Sequence, residues 1–146
     1  MKRALIITFF ILVAGCVQKP PEREVISAAG APKAIGPYSQ AVRVGNTLYL
    51  SGQLGLDPQS GRFAEGGFEA QARQALVNQK AVLEEAGFSL ADVVQCQVFL
   101  KNMDDYGTFN TVYQEFFKDR FPARAVLEVS RIPKDGLVEI MMVAMK

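Results

Sequence analysis

Apolar residues recur with two different periods along this chain, and the order of the two periods restricts the fold more than any other feature. In 93–100 and 137–145 alternate residues are apolar, as in a β-strand with one buried face. In 68–86 the apolar residues recur every three or four positions, as on one face of an α-helix. Strands interleaved with helices in a single short chain predict a sheet covered by helices, the α+β class.

The complete predicted order is β-β-β-α-β-α-β-β. Val94, Cys96, Val98 and Leu100 are expected on the buried face of their strand, and an aromatic face on the second helix is expected in the core. A mixed sheet with both helices on one face leaves the other face uncovered, which predicts subunits packing sheet to sheet. The elements are a short strand at 25–27, a hairpin of 40–44 and 47–51 across Gly45-Asn46, a helix at 68–86 ending before Gly87, a strand at 93–100, a helix from Asp104 or Asp105 to about Asp119, and strands at 123–130 and 137–145.

The first residues have the layout of a bacterial export signal. Lys2 and Arg3 precede an apolar run at 4–14, which has the length of a signal-peptide h-region and is too short to span a bilayer. Small residues then lead to Cys16, as in a lipobox, where the cysteine is lipidated and becomes the first residue of the mature protein. In a plain secretory signal or an uncleaved anchor, Cys16 would be incidental.

This layout predicts three parts: a lipoprotein signal peptide at 1–16, a tether at 17–33 and one folded domain at 34–146. Proline and charged residues make the tether semi-rigid. Val17, rather than Asp, follows the cysteine, which is typical of outer-membrane sorting in a Gram-negative cell. We therefore expect an exported protein held by a lipid on Cys16, which in a Gram-negative cell would lie at the periplasmic face of the outer membrane.

The 146-residue chain contains no histidine, and this absence limits the chemistry available to it. It excludes the usual general base, the Ser-His-Asp and Cys-His arrangements, and the commonest zinc ligand. The net charge of +1 lacks the basic excess of nucleic-acid binders. Two cysteines do not suggest a disulfide framework, and Cys96, on an alternating strand, is expected to be a small buried thiol.

Arg124 is the first candidate functional residue, because it opens an otherwise apolar strand directly after Pro122-Ala123. An arginine at the mouth of a buried strand needs an anionic partner. Its planar guanidinium can bind a carboxylate with two parallel hydrogen bonds. From the residues alone, a substrate carboxylate and an internal Asp or Glu are equally good partners.

Three further segments carry candidate site residues. Glu139 could activate water or transfer a proton, although its place in an alternating strand also suits a solvent-facing residue. Ser51-Gly52 offers a hydroxyl and a close backbone approach, or an ordinary strand end. Tyr38 follows Gly36-Pro37 and could place its hydroxyl over a cleft, or simply pack in a rigid loop.

Taken in order, several segments resemble the RidA/YjgF family of reactive-intermediate deaminases. The resemblance runs from about Ile26 to Met145 and depends on the order and spacing of the whole set. The matching segments are Ala-Ile-Gly-Pro-Tyr-Ser-Gln at 34–40, Ser-Gly-Gln at 51–53, Gln-Ala-Arg-Gln-Ala-Leu at 71–76, Phe-Pro-Ala-Arg at 121–124, Arg-Ile-Pro-Lys-Asp-Gly at 131–136 and Val-Glu-Ile at 138–140.

The resemblance implies a chorismate-mutase-like fold, in which three subunits pack their sheets into a central barrel with the helices outside and an active site at each interface. It implies that Arg124 pairs with the substrate carboxylate and that Glu139 positions water or moves a proton. Tyr38, Ser51 and Gly52 match substrate-binding positions of the pocket.

The implied reaction is hydrolysis of an enamine or imine, such as 2-aminoacrylate or 2-iminobutanoate, to a 2-keto acid and ammonia, with no metal or cofactor. Val126 replaces a cysteine of some members, and Met141 replaces a residue that is often acidic. The expected export would distinguish this chain from the mostly cytosolic members of that family. A trimeric envelope protein that binds small carboxylates without turnover is the alternative, whereas the near-neutral charge and missing histidine disfavour ribonuclease activity.

Overall fold

The structure is a computed structural model that describes residues 20–146. The predicted signal peptide and Cys16 lie outside the described residues. Six strands and two α-helices occur in the order β-β-β-α-β-α-β-β, as the sequence predicts. Their bounds are β1 Arg23–Ile26, β2 Ala41–Val44, β3 Thr47–Leu54, α1 Gly67–Glu85, β4 Val93–Leu100, α2 Tyr106–Phe116, β5 Ala123–Glu128 and β6 Val138–Met145. Neither α-helix within the described range is long and apolar enough to cross a membrane.

The six strands form one mixed sheet in the order β1-β2-β3-β6-β4-β5. All neighbouring pairs are antiparallel except β4 and β5, which are parallel and are connected through α2. The last strand, β6, is therefore inserted between β3 and β4. This insertion brings Glu139 beside the strand that carries Ser51 and Gly52.

Both helices cover the same face of the sheet, as predicted. The covered face of β6 presents Val138, Ile140, Met142 and Ala144 to the core, and all four are essentially buried. Helix α1 packs against β3, β6 and α2. The chain leaves the helix at Gly87, whose φ is 75°, and the Phe88 amide donates to the Leu83 carbonyl, the closing bond of a glycine-terminated helix.

Three amide side chains on α1 are buried although the apolar pattern did not identify them. Asn78 donates to the carbonyls of Leu54 and Leu56, at 2.9 and 2.8 Å. Gln79 donates to the carbonyls of Ser51 and Ile140, and Gln71 accepts from the Leu137 amide. These bonds hold α1 against the irregular end of β3, where the ladder to β6 is interrupted.

Three predictions about local structure were only partly right. Helix α2 ends at Phe116 rather than about Asp119, because Phe117 turns into the core and stacks on Tyr113 with ring centroids 4.5 Å apart. Asp105 occupies the N-cap position of α2, one of the two predicted alternatives, but its side chain makes no capping hydrogen bond; Asn102 instead caps the 3-10 turn 103–105 by accepting from the Asp104 amide. The fifth strand ends at Glu128 rather than at residue 130.

Val94 is exposed, although alternation placed it on the buried face of β4. The register between β4 and β6 shifts between Val93 and Gln95, so Val93 takes the buried position instead. An extra residue in one strand breaks the period of two, and the burial pattern changes there.

The packed domain begins before residue 34, so the predicted tether overlaps it. Strand β1 pairs with β2, and Ile26, Ala28 and Ala31 are buried. The Gln40 side chain accepts from the Ala28 amide at 2.7 Å and donates to the Pro32 carbonyl at 2.8 Å. These bonds fix 28–32 to the sheet, so within the described part of the predicted tether, 20–33, the packed structure starts at about Arg23.

The face of the sheet opposite the helices carries apolar side chains that nothing in the described chain covers. They alternate with buried residues on the same strands. An uncovered apolar surface of this kind marks an interaction site in soluble proteins. The side chains on this open face include Val25, Tyr49, Leu127, Met141, Val143 and Met145.

Candidate functional site

Arg124 lies near the start of β5, opposite Cys96 of β4 in the parallel register. Its side chain extends along the helix-covered face toward α2. The guanidinium donates to Oδ1 of Asn110 at 2.7 Å and, more weakly, to the Tyr106 hydroxyl at 3.4 Å. These bonds and the rigid strand fix the direction of the planar group.

Aromatic rings surround the same guanidinium. Its central carbon lies 4.6 Å from the ring centroid of Tyr113, 5.5 Å from that of Phe109 and 5.8 Å from that of Tyr106. Ring faces attract a cation without neutralising it. The aromatic face of α2, which the sequence assigned to the core, therefore also supports Arg124.

Within residues 20–146, no carboxylate forms an ion pair with Arg124. The internal salt bridge that the sequence left open is thus absent from the described part of the chain. Arg124 instead lines a pocket of about 320 Å³ with Asn110, Tyr113, Gln114, Phe121 and Pro122. A guanidinium that is held in place but has no carboxylate partner within the described chain is suited to bind an anion from outside the chain.

A second pocket, of about 360 Å³, contains the other predicted site residues. It lies on the open face of the sheet, between β3, β6 and the loop before β2. The sequence prediction grouped these residues with Arg124, but the single chain places them in a separate pocket. Its lining comprises Tyr38, Ser51, Gly52 and Glu139 together with Ile35, Leu54, Pro133 and Met141.

Glu139 is half-buried in this second pocket, and its carboxylate lies over Gly52. Burial raises the pKa of the Glu139 carboxyl above its ordinary value. A carboxylate with a raised pKa is a stronger base than an exposed one, which suits proton transfer.

The hydroxyls of Ser51 and Tyr38 are used mainly to build the pocket. Ser51 Oγ donates to the Ser39 carbonyl at 2.7 Å, so its proton is engaged although its lone pairs remain available. The Tyr38 hydroxyl accepts from the Ile35 amide at 3.2 Å. The Ser51 bond links the loop 35–39 to β3, whereas the Tyr38 bond lies within that loop, and Tyr38 remains 46% exposed.

Arg124 and Glu139 lie on opposite faces of the sheet. Arg124 contacts α2 on the covered face, whereas Glu139 alternates with the buried Val138 and Ile140 and so lies on the open face. In the sheet register, Arg124 pairs with Cys96 of β4 and Glu139 pairs with Phe99 of β4. These two β4 residues are three positions apart, so Arg124 and Glu139 are also separated by about 10 Å along the strand direction. One chain alone cannot bring these two side chains to one small substrate.

Cys96 is a buried thiol, as expected. Burial raises the pKa of the Cys96 thiol to about 11, and the nearby Tyr113 hydroxyl and Arg124 charge offset only part of this effect. The Tyr113 hydroxyl, although close to the thiol, makes no hydrogen bond of good geometry. In the region 20–146, no group of three or more Cys, Asp or Glu residues could hold a metal ion.

Sequence reasoning missed Asn110 and Tyr106 as partners of Arg124. They lie one turn apart on α2, and their contact with β5 bridges 14 and 18 residues of chain. A polar residue on an otherwise aromatic helix face was the signal available for Asn110. Nothing local in the sequence indicates which strand residue it meets.

The fold and the two pockets define a protein of the endoribonuclease L-PSP family, whose model matches residues 28–146. The chain belongs to this family, which is the RidA/YjgF family that its motifs resemble. It is 50% identical over 123 residues to a RutC family protein of Sulfurisphaera tokodaii, covering 84% of this chain and 98% of that protein.

Two further relatives are named for their activity or family. The 2-iminobutanoate/2-iminopropanoate deaminase of Homo sapiens is 48% identical over 124 residues, covering 85% of this chain and 90% of that protein. The crystal structure of RidA from the Antarctic bacterium Psychrobacter sp. PAMC 21119 superposes with a TM-score of 0.82. It is 46% identical, covering 84% of this chain and 99% of that one.

Proposed function

We propose that this protein hydrolyses reactive imines and enamines of amino acids to 2-keto acids and ammonia. The observation that carries the proposal is the Arg124 guanidinium, which is fixed by Asn110 and aromatic rings yet unpaired with any carboxylate of the described chain. Such a group is prepared to bind a substrate carboxylate. The relatives named as deaminases support the same reaction class.

The complete site is proposed to form between two copies of the chain, within a homotrimer. Arg124 of one copy would meet the pocket of Glu139, Tyr38, Ser51 and Gly52 on the next. The opposite-face arrangement of Arg124 and Glu139 and the uncovered apolar face of the sheet both support this assembly.

In this scheme Arg124 binds the carboxylate and orients the imine carbon above Glu139. The Glu139 carboxylate takes a proton from water as the oxygen attacks that carbon, and a carbinolamine forms. The nitrogen is then protonated and leaves as ammonia when the carbonyl forms. An imine plus one water thus gives one keto acid and one ammonia, and the side chains mainly position the reactants.

A coupled assay tests the activity. An amino-acid oxidase generates the imine, and keto-acid release is measured with wild type, Arg124→Ala and Arg43→Ala. Arg43 also lies over an aromatic ring, that of Phe88, but outside both pockets, so its variant is the control. We expect acceleration by wild type and Arg43→Ala only; equal rates for Arg124→Ala would contradict the proposal. Arg124-dependent binding of a keto acid without turnover would favour the carboxylate-binding alternative.

We also propose that the protein is exported and anchored to the membrane by a lipid on Cys16. The support is the sequence pattern of 1–16, with a basic start, an apolar run and small residues before the cysteine. Metabolic labelling with a fatty acid tests this in a bacterial host. We expect the wild-type protein to carry the label. The Cys16→Ser variant should carry no label and should be released from the membrane fraction.

A further inference from the structure

The pocket around Glu139 has two chemically different walls. Its polar groups are Tyr38, Ser51 and Glu139, grouped around Gly52. The rest of the lining, here called the apolar wall, is hydrocarbon or thioether, from Ile35, Leu54, Pro133 and Met141. Ile35 is 52% exposed, so this part of the wall is accessible in the single chain.

Met141 lies next to the reacting group on this apolar wall. It is two residues after Glu139 on β6, and so on the same open face about 7 Å along the strand. Within 20–146 no cation or second carboxylate contributes to the pKa of Glu139, which burial alone raises. Within the single chain, the groups next to that carboxylate are therefore uncharged.

The pocket is larger than a three-carbon imino acid requires. Its volume of about 360 Å³ falls at the lower end of the range for pockets that enclose drug-sized ligands. With the carboxylate on Arg124 and the imine carbon at Glu139, the side chain of the substrate is left to fill the remaining space.

We propose that this apolar wall, with Met141 as its specificity-determining residue, selects imino acids with aliphatic side chains of four or more carbon atoms, such as those formed from leucine. The inference rests on the proposed deaminase function and adds the substrate class. A polar side chain of similar length would lose its hydration without gaining a hydrogen bond from this wall.

The test compares imines of similar size and different polarity. The full-length protein is supplied with the imines that an amino-acid oxidase forms from leucine and from glutamine, and kcat/KM is measured for each. We expect leucine-derived imine to be preferred by about tenfold or more, the discrimination typical of apolar pockets. Equal kcat/KM values would overturn the specificity inference while leaving the deaminase function standing. Acceleration of neither imine would overturn both.

Three variants assign the preference to Met141. Met141→Gln should reduce the leucine-to-glutamine ratio by about tenfold, whereas Met141→Leu, which keeps the wall apolar, should retain it. Met103→Gln is the matched control, since Met103 is exposed and lies in neither pocket. An unchanged ratio in Met141→Gln, or a loss of the preference in Met141→Leu with normal folding, would overturn the assignment.

Discussion

The carboxylate of Glu139 lies directly over the backbone of Gly52, on the neighbouring strand. A Cβ atom at position 52 would lie 2.8 Å from Cδ of Glu139 and would collide with its carboxylate oxygen. Because Gly52 of β3 has no side chain, the pocket has room for the Glu139 carboxylate of β6. Residue 52 therefore controls the position of the proposed base.

Gly52→Ala should fold and lose most of its activity. The added methyl group meets a flexible side chain rather than backbone, so Glu139 can move away, but a shift of about 1 Å at a reacting group can cost about 100-fold in rate. The coupled assay measures kcat, and thermal unfolding checks that the variant is folded. Gly107→Ala, where a Cβ meets nothing within 4 Å, is the control and should keep full activity. A wild-type kcat for Gly52→Ala would contradict this role.

Two variants that each retain only residual activity should regain activity when they are mixed. If each site takes Arg124 from one copy and Glu139 from the next, every mixed trimer of Arg124→Ala and Glu139→Gln contains one intact site. Unfolding and refolding an equal mixture should recover about one quarter of wild-type activity. Each variant refolded alone is the control. No recovery, despite trimers in sedimentation, would place both residues in one subunit's site.

Activity should decline at low pH at a value above the ordinary glutamate pKa of about 4.3. Burial raises the pKa of Glu139, so its basic form is lost earlier on acidification. The measurement is kcat/KM against pH. The residual activity of Glu139→Gln should lack this acidic limb; a limb that persists in the variant would assign it to another group.

The same pKa shift predicts the effect of Glu139→Gln on stability. The folded protein binds the Glu139 proton more tightly than the unfolded chain does. The protonated Glu139 carboxyl therefore contributes to the stability of the fold at low pH, and this contribution is lost as the pH rises through the folded-state pKa. At neutral pH the variant should be at least as stable as wild type, as measured by urea unfolding. A clear loss of stability would indicate a structural role for the carboxylate.

Cys96 should be inert in the native protein. Its thiol is fully buried with a pKa of about 11, so very little thiolate forms at neutral pH. A Cys16→Ser variant leaves Cys96 as the single cysteine of the chain. A thiol reagent should label it slowly in buffer and completely in denaturant. Rapid native labelling would show that the core opens near Arg124.

Much of the fold is predictable from the period of the apolar residues. Gly87 ended the first helix as expected, and Ile140 and Met142 lie on the buried face as alternation requires. Val94 departed from its pattern because a bulge in β4 is set by pairing with β6, a strand distant in sequence. Gln79 is buried because two distant carbonyls accept its protons, which hydropathy does not reveal.

The sequence by itself determined the element order, the α+β class and the identity of the chemically notable residues, because these follow from local periodicity and from ordered motifs. Only the tertiary structure decided where the candidate site residues lie. It paired Arg124 with Asn110 and set Glu139 over Gly52, on the opposite face of the sheet. Such contacts depend on which distant strands become neighbours and in what register, and local periodicity does not encode either.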